Sequence, residues 1–257
     1  MKNFGLRQRI LKNELTIGSW VTIGHQSIIE IMASAGFDWL TIDLEHSVID
    51  LSKAQELIAH IQASGMSALV RVSKNEEVII KRVMDGGANG VIVPMVNTEK
   101  EAEQAVAYVK YPPAGLRGVG LTRAQNYGLG FQEYKKWLEE DSIVIAQIEH
   151  IDAVNNLAKI IDTPGIDGLI IGPYDLSASM GFPGEFERDD VRAALDKVKK
   201  ICLEKKKTMG FHVIPPDHAK LTEKINEGYR FLAFSLDFLF LGEKARLEMS
   251  KVRKSQN

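Results

Sequence analysis

Two carboxylates, Glu149 and Asp175, stand 26 residues apart, the first closing Ala-Gln-Ile-Glu and the second lying in Gly-Pro-Tyr-Asp-Leu-Ser. Each follows a short apolar run, and neighbouring strands lie about 4.8 Å apart, so such acids can converge on one cation. Oxygen ligands with open positions suit Mg²⁺ or Mn²⁺ and leave Co²⁺ or Zn²⁺ open. Taken singly, either acid reads as a helix N-cap or a surface charge; the pairing favours the cation. Arg71 interrupts Ala-Leu-Val-Arg-Val, where a buried guanidinium is costly unless it meets an anion. A structural salt bridge is one reading. The other is a clamp on a carboxylate or on oxygen charge that develops during reaction. Histidine is the side chain whose ordinary chemistry suits proton transfer near neutral pH, and Asp43 and Glu45 lie close enough in sequence to orient His46. No strand core carries a lysine for a Schiff base, the nearest being Lys74 in a loop. Of the other histidines, His25, His60, His150 and His218 read as solvated or capping, whereas His212 falls near a strand end and can face substrate.

These residues need a frame that brings strand ends together. Apolar, β-branched runs recur at 17–21, 39–45, 68–72, 90–95, 143–149, 168–172, 209–213 and 231–237. Helical spacing fills 27–34, 51–63, 76–85, 98–110, 153–161, 191–205, 219–227 and 239–252. Eight strand–helix alternations over 257 residues predict an α/β protein, a (β/α)8 barrel forming one domain over 1–257. An open doubly wound sheet would carry a glycine-rich phosphate turn after its first strand, and Thr22-Ile23-Gly24-His25 is not one. In a barrel the C-terminal strand ends carry the active site, which is where Asp43, Arg71, Gln147, Glu149 and Asp175 fall. The irregular stretch 111–134 is expected to be a functional loop or an assembly surface.

Composition narrows the partners. With 45% hydrophobic and 26% charged residues the chain is an ordinary folded one, and 32 basic against 34 acidic residues give a net charge of −2. Such a balance offers no field for nucleic acid or an anionic membrane surface. One cysteine, Cys202, excludes an internal disulfide framework. The polar opening MKNFGLRQRILKNEL lacks a signal peptide's apolar stretch, and no run approaches a membrane span, so a cytoplasmic protein is expected.

Several segments, in order, resemble the HpcH/HpaI aldolases, metal-dependent class II pyruvate aldolases, over about residues 4–244. They are Ala35-Gly-Phe-Asp-Trp-Leu, Asp43-Leu-Glu-His46, Leu69-Val-Arg71-Val, Val93-Pro-Met-Val, Tyr111-Pro-Pro-Ala-Gly-Leu-Arg-Gly-Val-Gly120, Gln147-Ile-Glu149 and Ile171-Gly-Pro-Tyr-Asp175-Leu-Ser. The resemblance implies reversible cleavage of a 4-hydroxy-2-oxo acid, of the 2-keto-3-deoxy sugar acid type, into pyruvate and an aldehyde, with a divalent metal and no organic cofactor. It implies that Glu149 and Asp175 hold the metal, and that backbone at Gly172, Pro173, Tyr174 and Asp175 takes the pyruvate carboxylate. It further implies that Arg71 stabilises the enolate, that His46 oriented by Asp43 moves protons, and that Gln147 lines the pocket. Hexameric assembly follows from it too, with Asp85 and Arg117 near a neighbouring subunit's site. The departures cluster where the aldehyde would sit: Tyr174 replaces a small residue, Leu44 a glycine, Phe211-His212 a more apolar run, and Ser235-Leu-Asp a glycine-containing turn. Two other readings remain. A CoA-thioester lyase of the citrate lyase β or malyl-CoA type would need extra basic residues for the nucleotide, and a non-catalytic sugar-acid-binding barrel would not need all of His46, Arg71, Glu149 and Asp175.

Overall fold

The apolar runs form eight strands: β1 (Thr16–Val21), β2 (Trp39–Asp43), β3 (Ser67–Arg71), β4 (Gly90–Val93), β5 (Ile143–Ile148), β6 (Gly168–Ile171), β7 (Thr208–Val213) and β8 (Phe231–Leu236). The computed structural model describes residues 5–254, so Phe4, where the family likeness begins, and both ends of the expected 1–257 domain lie outside the described residues. Every strand pairs in parallel with the next and β1 pairs with β8, closing the barrel. Strands buried on both faces explain the unbroken apolar runs, which have no polar alternation to mark one wet side.

The helices are α1 (Leu6–Leu11), α2 (Gln26–Ala33), α3 (Leu51–Ala63), α4 (Glu77–Asp85), α5 (Glu99–Val109), α6 (Phe131–Glu140), α7 (Ile151–Asp162), α8 (Pro173–Ser179), α9 (Asp189–Lys205), α10 (His218–Asn226) and α11 (Asp237–Lys254). Their apolar faces pack on the outside of the barrel, while a second cluster fills its inside with Trp20, Trp39, Leu69, Ile145, Ile170 and Phe231 among others. Trp39 stacks on Phe231 at 4.3 Å. That pair requires Gly18, because a Cβ there would fall 2.0 Å from the Trp39 ring. Leu6 and Ile10 of α1 join the inner cluster and plug it.

Three helices escape the sequence reading. Six-residue α1 and seven-residue α8 are too short to show a period. The third, α6, begins inside the stretch expected to be irregular, which also holds a 3₁₀ turn at Arg123–Gly128 with Asn126 (φ 51°) and Tyr127 (φ 54°) left-handed. Its buried Tyr134, Trp137 and Leu138 do follow helical spacing, but glycines on the N-terminal side hide the start. His25 and His150 cap helices through ring acceptors, as expected of them, and His218 is exposed. Among the described residues no helix is long and apolar enough to cross a membrane.

Candidate active site

The C-terminal rim is organised by an arginine fork. β2 and β3 are in register at Asp43 and Arg71, so both side chains point into the barrel. Arg71 donates from Nε to Asp43 Oδ1 at 2.9 Å and from Nη2 to Oδ2 at 2.6 Å. Its guanidinium also lies 4.3 Å over the Trp20 ring. Burial pushes Asp43 up, but the Arg71 hydrogen bonds and charge, with the backbone N–H groups of His46 and Glu45, outweigh it and hold the carboxyl below the usual range. The result is a carboxylate anchor for Arg71.

A second group of acids gathers beside that fork. Glu149, 3% exposed, accepts from the Met95 backbone N–H at 2.7 Å and from Gln147 Nε2. Met95 is left-handed (φ 53°), so a strained backbone at the end of β4 delivers that N–H. Gly172 leaves room for the acid, since a Cβ there would come within 3.1 Å of Glu149 Oε2. Burial raises Glu149 to about 7, against the hydrogen bonds from Gln147 and Met95, and the charges of Glu45 and Asp175 push the same way as burial. Glu45 is likewise raised to about 7, first by burial, with Arg71 opposing and Asp43 and Asp175 adding repulsion. Its Oε2 is buried without a hydrogen bond, 3.4 Å from Arg71 Nε. Asp175 is exposed in the first turn of α8.

Three mutually repelling acids beside an arginine already shared with Asp43 form a site with a deficit of positive charge. Among the described residues no group of three or more His, Cys, Asp and Glu is arranged to hold a metal ion. Glu149 and Asp175 are close enough to repel each other, and two carboxylates with substrate and water oxygens are a donor set that Mg²⁺-like cations accept.

Asp43, His46, Arg71, Gln147, Gly172, Pro173, Tyr174, Asp175 and His212 line one cavity of about 340 Å³, large enough for a small oxo acid. One expectation needs correction. The Asp43 carboxylate does not meet the His46 ring; it is held by Arg71, and the acid near the imidazole is Glu45, with Oε2 3.8 Å from His46 Nε2. Asp85 and Arg117, expected near a neighbouring subunit's site, lie outside this chain's own cavity. They pair at 3.0 Å where α4 ends, near the opposite end of the barrel, with Arg117 fully buried and bonded to the Tyr134 hydroxyl. Trp20 is the site residue the sequence reading left without a role, whereas Glu45 was read, with Asp43, as an acid able to orient His46. Trp20 looked like one more apolar residue of a strand.

A parallel barrel with charged groups converging at its C-terminal rim defines the chain as a barrel enzyme. The family model described as HpcH/HpaI aldolase/citrate lyase matches residues 16–241. A hydroxypyruvate/pyruvate aldolase of Roseobacter denitrificans is 33% identical over 91% of each chain. A 4-hydroxy-2-oxo-heptane-1,7-dioate aldolase of Salmonella typhimurium is 42% identical over 70% of this chain and 69% of its own. The crystal structure of an HpcH/HpaI aldolase/citrate lyase family protein from Burkholderia cenocepacia superposes with a TM-score of 0.91 at 32% identity, covering 97% of this chain and 99% of that one. The chain belongs to the HpcH/HpaI aldolase/citrate lyase family and is an aldolase, a carbon–carbon lyase that acts on a small molecule.

Proposed function

We propose that the protein reversibly cleaves a 4-hydroxy-2-oxo acid into pyruvate and an aldehyde with the help of a divalent cation. The observation that carries this reading is the crowding of Glu45, Glu149 and Asp175 beside an arginine that Asp43 already engages. Glu149 and Asp175 are the pair to hold the cation, Mg²⁺ or Mn²⁺ first by donor hardness, with Co²⁺ or Zn²⁺ as alternatives. When bound, the cation polarises the 2-oxo group. No organic cofactor is required.

The chain's own groups do the rest. The first turn of α8 begins with Pro173, so the backbone N–H groups of Tyr174 and Asp175 are the first it can offer to the substrate carboxylate. Gln147 keeps a buried Oε1 without a partner toward the same cavity. Arg71 commits Nε and Nη2 to Asp43, which leaves Nη1 to stabilise negative charge on the enolate oxygen. His46 stands exposed over the mouth with Glu45 beside it. In cleavage it takes the C4 hydroxyl proton, directly or through water, as the C3–C4 bond breaks. The aldehyde forms, the bonding pair enters the enolate, and protonation at C3 gives pyruvate.

Proton exchange at the pyruvate methyl group in D₂O, followed by NMR, tests this. Exchange should stop with EDTA and return with Mg²⁺ or Mn²⁺; absence of exchange with every metal, with and without an added aldehyde, would overturn the reading.

The proposal extends to one domain over 1–257, a cytoplasmic setting in keeping with the single buried thiol of Cys202, and a homo-oligomer, hexameric by family resemblance. Exposed Leu116, Val119, Leu121 and Leu129 near the Asp85–Arg117 pair supply an apolar surface for assembly.

A further inference from the structure

Part of the cavity lining takes no direct part in the chemistry above. His212 on β7 and Trp20 on β1 meet there with ring centroids 5.4 Å apart. Both present a buried nitrogen without a hydrogen-bond partner, His212 Nε2 and Trp20 Nε1. Unmet buried polar atoms are rare in folded proteins and each needs a reason. Here the two belong to side chains lining the same cavity.

Their chemistries are complementary. Trp20 Nε1 can only donate. His212 is neutral: burial and the Arg71 charge press it down to about 3, against a smaller opposing hydrogen bond with the Ser235 backbone and the charge of Asp43. The Ser235 backbone lies near the ring and opposes that shift, and Nε2 has no hydrogen-bond partner. A neutral imidazole carries one donor and one acceptor nitrogen, so the unpartnered Nε2 is free to accept from a ligand hydroxyl. Ser235 is itself left-handed (φ 54°), at an irregularity in the β1–β8 register, and its carbonyl accepts from Ser19 Oγ at 3.1 Å.

We propose that Trp20 and His212 form a hydroxyl-reading wall, and that the aldolase selects substrates carrying a hydroxyl on the carbon seated against it. A hydroxyl both accepts from Trp20 Nε1–H and donates to His212 Nε2. A carboxylate has no proton for His212, and a methyl group leaves both nitrogens unpaired. This inference rests on the aldolase reading and deepens it, since the hydroxyl can belong to a 3-hydroxylated oxo acid donor or to a 2-hydroxyaldehyde acceptor.

The test uses the full chain with saturating Mg²⁺ in two arms. The donor arm compares kcat/KM for hydroxypyruvate and pyruvate with one fixed aldehyde. The acceptor arm compares glyceraldehyde and propanal with pyruvate. Each hydroxylated-to-deoxy ratio is read in wild type, His212→Leu and Trp20→Phe, so that the intrinsic reactivity of the substrates cancels. In at least one arm the ratio should fall about tenfold or more in both variants. The Trp20→Phe variant keeps an aromatic face and removes the indole N–H, so it carries the test if His212→Leu does not fold. Ratios unchanged in both arms overturn the wall while leaving the aldolase intact. A wild type that forms no aldol product and exchanges no pyruvate proton overturns both.

Discussion

At the scale of single residues, the site depends on charges that would be costly if any partner were removed. Arg71 is held by two hydrogen bonds to Asp43 and by the Trp20 face, an arrangement that a lysine ammonium cannot reproduce because it lacks the planar fork. Arg71→Lys should therefore lower kcat about 100-fold by removing a preorganised donor to the developing enolate charge. Mn²⁺ affinity, followed by electron paramagnetic resonance, should survive that change; its loss with turnover retained would reverse the assignments of arginine and acids. Glu149→Gln and Asp175→Asn should each abolish Mn²⁺ binding in the same measurement, and unaltered binding in either would remove that residue from the ligand set. The sequence identified Arg71 as a residue needing an anion, and Asp43 as a neighbour of His46. It did not pair the two, because contact between residues 28 apart depends on strand register, which no local pattern in the chain encodes.

At the scale of elements, the strands were legible because parallel burial leaves long apolar runs, and every predicted run overlaps an observed strand. Helices were legible where they were long enough to display a period. The exceptions, α1, α6 and α8, are short or begin among glycines. The functional irregularities were illegible for a different reason: Met95 and Ser235 take left-handed backbone with ordinary side chains, against local preference. Surrounding packing imposes those conformations, and each aims a backbone group at a site residue, Glu149 or His212. Gly18 shows the reverse case, a residue whose smallness only the fold explains. Gly18→Ala should destabilise the barrel by about 1–3 kcal/mol, because the added methyl enters the space of the Trp39 ring stacked on Phe231. A thermal melt by circular dichroism reads this, and an unchanged midpoint would mean that the inner ring stack can move aside without cost.

At the scale of the whole molecule, the acids at the barrel mouth couple stability to pH and to metal. An acid whose folded pKa lies above its unfolded value binds protons more tightly when folded, so ionising it weakens the fold as pH rises. Glu45 and Glu149, raised from 4.5 to about 7, both have that sign. Asp43 has the opposite sign, but its lowered pKa places its contribution below the acid range in question: it is lost only as pH falls through that lowered value. The metal-free protein should accordingly lose stability as pH rises from about 4.5 to about 7, its melting temperature falling by about 5 °C within the limits set for a chain of this size. A bound divalent cation favours the ionised carboxylates and must displace their protons to bind. Added Mn²⁺ should thus restore the midpoint at pH 7.5 and have little effect at pH 5, with Glu149→Gln insensitive to the ion at both. A scan of melting temperature against pH, with EDTA or Mn²⁺, reads the whole linkage. Equal stabilisation by Mn²⁺ at pH 5 and 7.5 would mean that the cation does not compete for the protons of these acids and binds somewhere other than the barrel mouth.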